Sequence, residues 1–201
     1  MYKNLNLFLT FQVIIIVWCN LLFSQTDPTY ILGIMVDFPY EEVDDPLTSG
    51  RGTFLESETD QYSLDTTLLC KGFKVDSPPH NADYFLNHIK AVNSYYKSIS
   101  NGLIDFENNI NVLDTIFTVS SPMRYYGEND QKLGEFFNES IILAKDSIID
   151  LNLNINDVLI VVFHAGLGQD FSVPFLDPTS HDLKSAYIDD QMLIGLDLVE
   201  I

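Results

Sequence analysis

The feature that most constrains the fold is the segment Asn156–Asp170, with the sequence NDVLIVVFHAGLGQD. Residues 158–163 are all apolar and mostly β-branched, and the run leads into His164, Gly166 and Gly168. A short apolar run of this kind predicts a strand buried on both faces that turns sharply at its carboxyl end. Open α/β sheets usually carry their sites at that end. We therefore expect any site of this chain to lie near the turn 164–168.

Two amphipathic helices are predicted, and both are expected to pack against a sheet. The first is capped by Asn81 or Asp83 and closed by Asn101-Gly102, and the second ends at residues 152–156. Each helix places apolar residues on one face. The stripes are Phe85, Ile89, Val92, Tyr96 and Ile99 in the first helix, and Leu133, Phe137, Ile141, Ala144 and Ile148 in the second.

Strands are predicted before, between and after these helices. The first spans residues 30–38 and ends at Pro39, and a pair around Asn108-Asn109 spans residues 103–107 and 110–119. Weaker patterns suggest a short strand at 62–69, inside an acidic irregular connection, and a last strand or two at 187–198. The order strand, helix, strands, helix, strand predicts an α/β fold with a mixed sheet and two packed helices.

The N-terminus has the pattern of a secretory signal peptide. Lys3 precedes an almost wholly apolar stretch, residues 7–23, and Ser24-Gln25 offers a cleavage point after a small residue. An uncleaved membrane anchor is the alternative, but Gln12 and Asn20 interrupt a stretch that is short for a span. The sequence thus predicts residues 1–24 as a signal peptide, residues 25–201 as one α/β domain, and a secreted or extracytoplasmic location.

The strongly acidic composition excludes some partners. The 201-residue chain has a formal net charge of −19 at pH 7, spread along its length, which argues against nucleic acid and against an anionic membrane surface as partners. Calcium on clustered carboxylates is one interpretation of this charge. Solubility is the favoured one, because no D-x-D-x-D-G spacing of an EF-hand loop is present.

Metal-ligand residues are few. After signal cleavage Cys70 stands alone, which excludes an internal disulfide and a Cys-rich zinc site. The four histidines do not form the H-E-x-x-H motif that holds catalytic zinc, and each is expected to be a surface or hydrogen-bonded residue. These histidines are His80, His88, His164 and His181.

A serine hydrolase is a second hypothesis. The turn after the buried strand is similar to the H-G-G-G oxyanion loop of lipases and esterases, in which backbone amides stabilise an oxyanion. The partner motif G-x-S-x-G is absent, since its nearest match, residues 98–102, lacks the first glycine and lies at a helix end. A nucleotide fold is not supported either, because residues 166–168 lack the third glycine of G-x-G-x-x-G.

Four short motifs, taken in order, resemble the immune-inhibitor-A-like secreted zinc metallopeptidases, metallopeptidase family six. They are VDFP at 36–39, SYYKSISNGLIDF at 94–106, PMRYYG at 122–127 and VLIVVFHAGLGQD at 158–170. The resemblance covers about residues 30–170. It implies the N-terminal half of a zincin-like metallopeptidase domain, in a protein that cleaves peptide bonds through a water activated by zinc and a glutamate.

The same resemblance places the catalytic machinery outside this sequence. The zinc helix of that family follows the region matched here, so no catalytic residue and no zinc ligand is assigned to this chain. The turn formed by His164, Gly166 and Gly168 is expected to shape a wall of the cleft for a protein or peptide substrate. We expect the chain to be inactive as it stands and to be part of a longer reading frame. There are two alternatives. The chain is a non-catalytic secreted binding module or pseudo-enzyme, or it is an esterase-like hydrolase that uses the 164–168 turn.

Overall fold

A computed structural model describes residues 28–40, 47–48, 52–57, 78–169, 179–189 and 191–197. The predicted signal peptide, the weakly predicted strand at 62–69 and Cys70 lie outside these residues. The described elements, in chain order, are β1 (Tyr30–Asp37), α1 (Ala82–Ile99), β2 (Ile110–Thr118), the short helix α2 (Met123–Tyr126), α3 (Asp130–Asp150), a 3-10 turn (Ile155–Asp157) and β3 (Val158–His164).

The three described strands form one parallel sheet with the order β2-β1-β3. β1 is therefore the central strand, and its residues 31–36 are all buried. The mixed strand directions expected from the sequence are not found among the described strands. The α/β class is confirmed, since each change of strand passes through a helix.

The two long helices lie on opposite faces of the sheet. Alternate side chains of a strand point to opposite faces. Leu32, Ile34 and Val36 belong to one core cluster, with side chains of α2 and α3. Ile31 and Met35 belong to a second cluster, with Ile89 of α1. The described domain is thus three layers, α1, sheet and α3.

Local signals place the helix ends where the sequence predicts them. The side chain of Asn81 accepts a hydrogen bond from the backbone N–H of Tyr84 at 3.1 Å, which caps the start of α1. Gly102, beyond the end of α1, has a φ of +83°, a conformation that glycine adopts without strain. The side chain of Asn129, a cap that the sequence analysis did not name, caps α3 in the same way, through the N–H of Lys132.

The two predicted apolar stripes have different outcomes. Leu133, Ala144 and Ile148 of α3 are buried as expected. In α1 only the N-terminal part of the stripe packs on the sheet, because Val92, Tyr96 and Ile99 are exposed. Asn93 is buried in their place.

Two strand predictions are wrong, and a third is right only in part. Residues 103–107 form an irregular loop, so β2 begins at Ile110 without a hairpin partner and pairs in parallel with β1. No strand occurs among the described residues of 187–197. β3, predicted to be buried on both faces, lies at the edge of the described sheet with its residues half-buried and Leu159 exposed. The apolar run therefore identified the strand but not its place in the sheet.

Candidate functional site

The carboxyl ends of β1 and β3 meet beside each other at the centre of the fold. Val36 is the register partner of His164, and the N–H of Ala165 donates to the carbonyl of Val36 at 2.9 Å. From β1 the chain passes through α1 to β2 on one side of β1, and then through α2 and α3 to β3 on the other side. The helices α1 and α3 lie on opposite faces of the sheet. In doubly wound sheets, such a change of direction leaves a crevice outside the carboxyl ends, where ligands bind.

His164, the last residue of β3, points to the α3 face. Its ring has edge contacts with Phe38 and Phe136, at centroid distances of 6.1 Å and 6.5 Å. Its Nδ1 lies 3.0 Å from the carbonyl oxygen of Ala165, which fits a protonated Nδ1 that donates to this oxygen. These contacts hold the imidazole in one orientation at the mouth of the crevice.

The turn after His164 bends sharply at Gly166, whose φ is +93°. A second backbone segment crosses it closely, because a Cβ placed on Gly52 would lie 2.2 Å from the nitrogen of Gly166. Gly52 itself has a φ of +63°. Gly168, also predicted as part of the cleft wall, is half-buried, and Gln169 next to it donates its N–H to the carbonyl of Leu183 at 2.8 Å. The turn is therefore fixed from both sides by backbone contacts.

Asp37, the last residue of β1, is a site residue that the sequence analysis quoted only within a motif. Its Oδ1 is buried and has no hydrogen-bond partner among the described residues. It follows Met35 on the α1 face, so it lies on the opposite side of the sheet from His164. A buried carboxylate oxygen without a donor is costly, which makes Asp37 a candidate to receive a hydrogen bond or a cation from outside the described ranges.

A groove of about 720 Å³ runs along the outer edge of β3. Its walls are Phe85 of α1, the apolar face of α3 and residues 183–188. Charged groups are rare in its lining, where Lys184 forms an ion pair with Asp130 of α3. The groove ends at His164, so the predicted turn and the groove are parts of one site.

The backbone of β3 explains how this groove can bind a chain. Thr29 donates its N–H to the carbonyl of Asp157, and Ala165 donates to Val36, so the odd-numbered residues of β3 bond to β1. In a parallel ladder the intervening residues direct their N–H and C=O groups away from that neighbour. The backbone groups of Ile160 and Val162 therefore face the groove.

The described residues contain no zinc site. No group of three or more His, Cys, Asp or Glu side chains among them could hold a metal ion. His88 lies on α1 with its Nδ1 2.9 Å from the carbonyl of Tyr84, and His181 lies in the segment beyond the groove. The described part of the chain thus does not fit a resident zinc ion.

Comparison with protein-family models, with curated proteins and with solved structures finds no match to this chain. Within the described ranges, no helix combines the length and the hydropathy that a bilayer span needs. The geometry of the site is therefore the basis for any functional assignment.

Proposed function

We propose that this chain is the N-terminal, sheet-bearing part of a secreted zinc metalloendopeptidase and forms one wall of its substrate cleft. The observation that carries the proposal is the outer edge of β3, where backbone groups of Ile160 and Val162 face an apolar groove that ends at His164. An endopeptidase must hold its substrate as an extended chain. An available strand edge does this by adding the peptide as a further strand.

Specific parts of the cleft have separate tasks in this proposal. The peptide main chain bonds to the backbone of β3, and its apolar side chains contact Phe136 and Phe137 in the groove. The turn at Gly166 fixes the end of the cleft beside His164. In the full-length protein, residues outside the described ranges would hold the zinc, and the bound metal would supply the activated water. The described residues bind and orient the substrate but do not perform the hydrolytic step, because they offer no three-ligand set.

A non-catalytic binding module is the second candidate, and the same strand edge favours it. Such a module would bind an extended peptide without cutting it. The DNA sequence downstream of codon 201 distinguishes the two functions. A downstream H-E-x-x-H sequence, with casein hydrolysis by the extended protein, supports the peptidase. A stop codon directly after residue 201 contradicts it and leaves the binding module.

Peptide binding by the β3 edge has its own test. Val162→Pro removes an N–H that faces the groove but leaves the β1–β3 ladder intact, since edge strands tolerate proline at outward positions. Val162→Thr is the matched control, because it keeps the β-branched shape and the N–H. We expect the proline variant to lose binding of unfolded casein by tenfold or more, in line with about 1.4 kcal/mol, while the threonine variant keeps it. Equal binding by both variants would contradict the groove as the peptide site.

A further inference from the structure

The exposed half of α1 carries an apolar surface away from the His164 turn. Its members are 46% to 90% exposed, although each is a large apolar or aromatic side chain. We call this surface the α1 patch; it consists of Val92, Tyr95, Tyr96, Ile99 and Leu103. The rings of Tyr95 and Tyr96 contact each other at a centroid distance of 5.4 Å.

The orientation of α1 shows where the patch lies. The ring centroids of Phe85 and Phe163 of β3 are 4.5 Å apart, so this side of the helix is directed toward β3. Val92, Tyr96 and Ile99 follow Phe85 at intervals of 7, 11 and 14 residues, which keeps them near the same side. Asn93, on an adjacent side of the helix, bonds to residues 105–106. Leu159 of β3 is exposed, and by strand alternation with Val161 it lies on the α1 face of the sheet.

The exposed area of the patch is at the upper end of what an isolated chain shows. Its exposed fractions correspond to on the order of 600 Å² of apolar surface, the top of the range for the largest patch of a monomer. Two such patches in contact would bury on the order of 1,200 Å², which is the lower bound of specific protein–protein interfaces. A two-fold pair of α1 helices that buries the whole patch therefore reaches this lower bound.

The α1 patch lies in a segment of this acidic chain that has no acidic residue. The chain carries 29 acidic and only 10 basic residues, so two copies repel each other over most of their surfaces. Residues 84–104 contain no acidic residue, and they include Lys90 and Lys97. Lys97 lies away from the patch in ion pairs with Asp105 and Glu107. A second copy packed on the α1 patch would therefore face no carboxylate from residues 84–104.

We propose that the α1 patch is a homodimer interface in which α1 packs antiparallel against α1 of a second copy. The two-fold operation places the patch on itself, so Tyr95 and Tyr96 of one copy contact the apolar residues of the other. The two proposals are tested separately, because the β3 backbone edge and the 164–168 turn are not members of the α1 patch.

Sedimentation equilibrium of the purified chain across the micromolar range tests the dimer. We expect a mass that rises to twice that of the monomer and a dissociation constant that falls with added salt, because salt screens the repulsion between the acidic copies. Tyr96→Asp places like charges across the two-fold axis and should raise the dissociation constant at least tenfold. Ser98→Asp is the matched control, since Ser98 is exposed on the same helix but outside the patch.

Each other outcome overturns the proposal. A wild-type monomer at all concentrations would assign the patch to a different partner. A dimer that Tyr96→Asp leaves intact, or that Ser98→Asp weakens equally, would place the interface elsewhere. Circular dichroism of both variants shows whether they remain folded, and Ile99→Lys provides a second substitution within the patch if Tyr96→Asp does not fold.

Discussion

Gly52 and Gly166 lie with their backbones in direct contact, both at positive φ, at the carboxyl end of β3. A Cβ on Gly52 would approach the Cα of Gly166 to 2.3 Å, far inside van der Waals contact. The segment at residues 52–57 therefore packs over the turn that follows His164, and Leu55 in that segment accepts the backbone N–H of His80. One short segment connects the turn to the start of α1.

Gly52→Ala should destabilise the domain by about 2–4 kcal/mol, from the positive φ and from the overlap with backbone atoms of the turn. Gly102→Ala is the control, because Gly102 has a φ of +83° but nothing within 4 Å of its Cβ position. That variant should lose only about 1 kcal/mol. Urea denaturation gives both values, and equal losses would show that the contact with Gly166 adds nothing.

Ile89→Asp should cost about 3–5 kcal/mol, because Ile89 is 7% exposed between α1 and the sheet and a carboxylate there lacks a partner. Val92→Asp on the same helix should change monomer stability by less than about 0.5 kcal/mol, since Val92 is 55% exposed. Thermal melts at low protein concentration separate the two effects. A large loss of stability in Val92→Asp would show that Val92 is buried, as the apolar stripe predicted from the sequence requires.

Helix α1 shows what the sequence could and could not predict. The ends of α1 depend on local chemistry. The sequence predicted a cap at Asn81 or Asp83, of which the structure shows Asn81, and it predicted the glycine after the helix. Which side of α1 is buried depends on tertiary contacts. Asn93 is buried because its side chain bonds to the loop before β2, and apolar spacing cannot show such a contact.

The site was predicted in the same partial way. The run before His164 correctly predicted a strand and a sharp turn, with Gly166 at positive φ. The periodicity of an apolar strand does not distinguish a central position from an edge position, and so the outer edge of β3 was missed. Asp37 was missed because its burial depends on the packing around the end of β1.

Asn93→Ala should destabilise the domain by about 1–3 kcal/mol, because the N–H of Phe106 loses the side-chain oxygen it bonds at 2.9 Å. Asn87→Ala is the control, because Asn87 is an exposed asparagine on the same helix. The control should change the stability by less than about 0.5 kcal/mol. Chemical denaturation of the two variants measures both changes, and a neutral Asn93→Ala would show that water replaces the lost acceptor.

The pKa of Asp105 should lie below the usual value of an aspartate, first because Lys97 bonds to its carboxylate and then because Asn93 does. A lowered pKa in the folded state stabilises the fold above the unfolded value near 3.8, and this stabilisation is lost as the pH falls through the folded pKa. Lys97→Met should move the pKa back toward the usual value. A carboxyl NMR titration measures it, and an unchanged Asp105 in the variant would contradict the ion pair.

The purified chain should hydrolyse neither casein nor p-nitrophenyl acetate and should bind no stoichiometric zinc. The described residues hold no three-ligand metal set, and the esterase hypothesis needs free amides in the 164–168 turn. The amide of Ala165 already donates to the carbonyl of Val36, and no G-x-S-x-G nucleophile occurs in the sequence. Zinc content by mass spectrometry and a heat-inactivated control complete the measurement.

The variant His164→Gln tests whether any hydrolysis of p-nitrophenyl acetate depends on the 164–168 turn. It should cost only about 1 kcal/mol, because it removes the ring contacts with Phe38 and Phe136 but leaves the glycines of the turn in place. Saturable ester hydrolysis that His164→Gln abolishes would establish the esterase hypothesis over the peptidase. Casein hydrolysis that a chelator abolishes would show that this chain already contains a catalytic metal site, and the proposed division of the peptidase between this chain and a downstream zinc helix would be wrong.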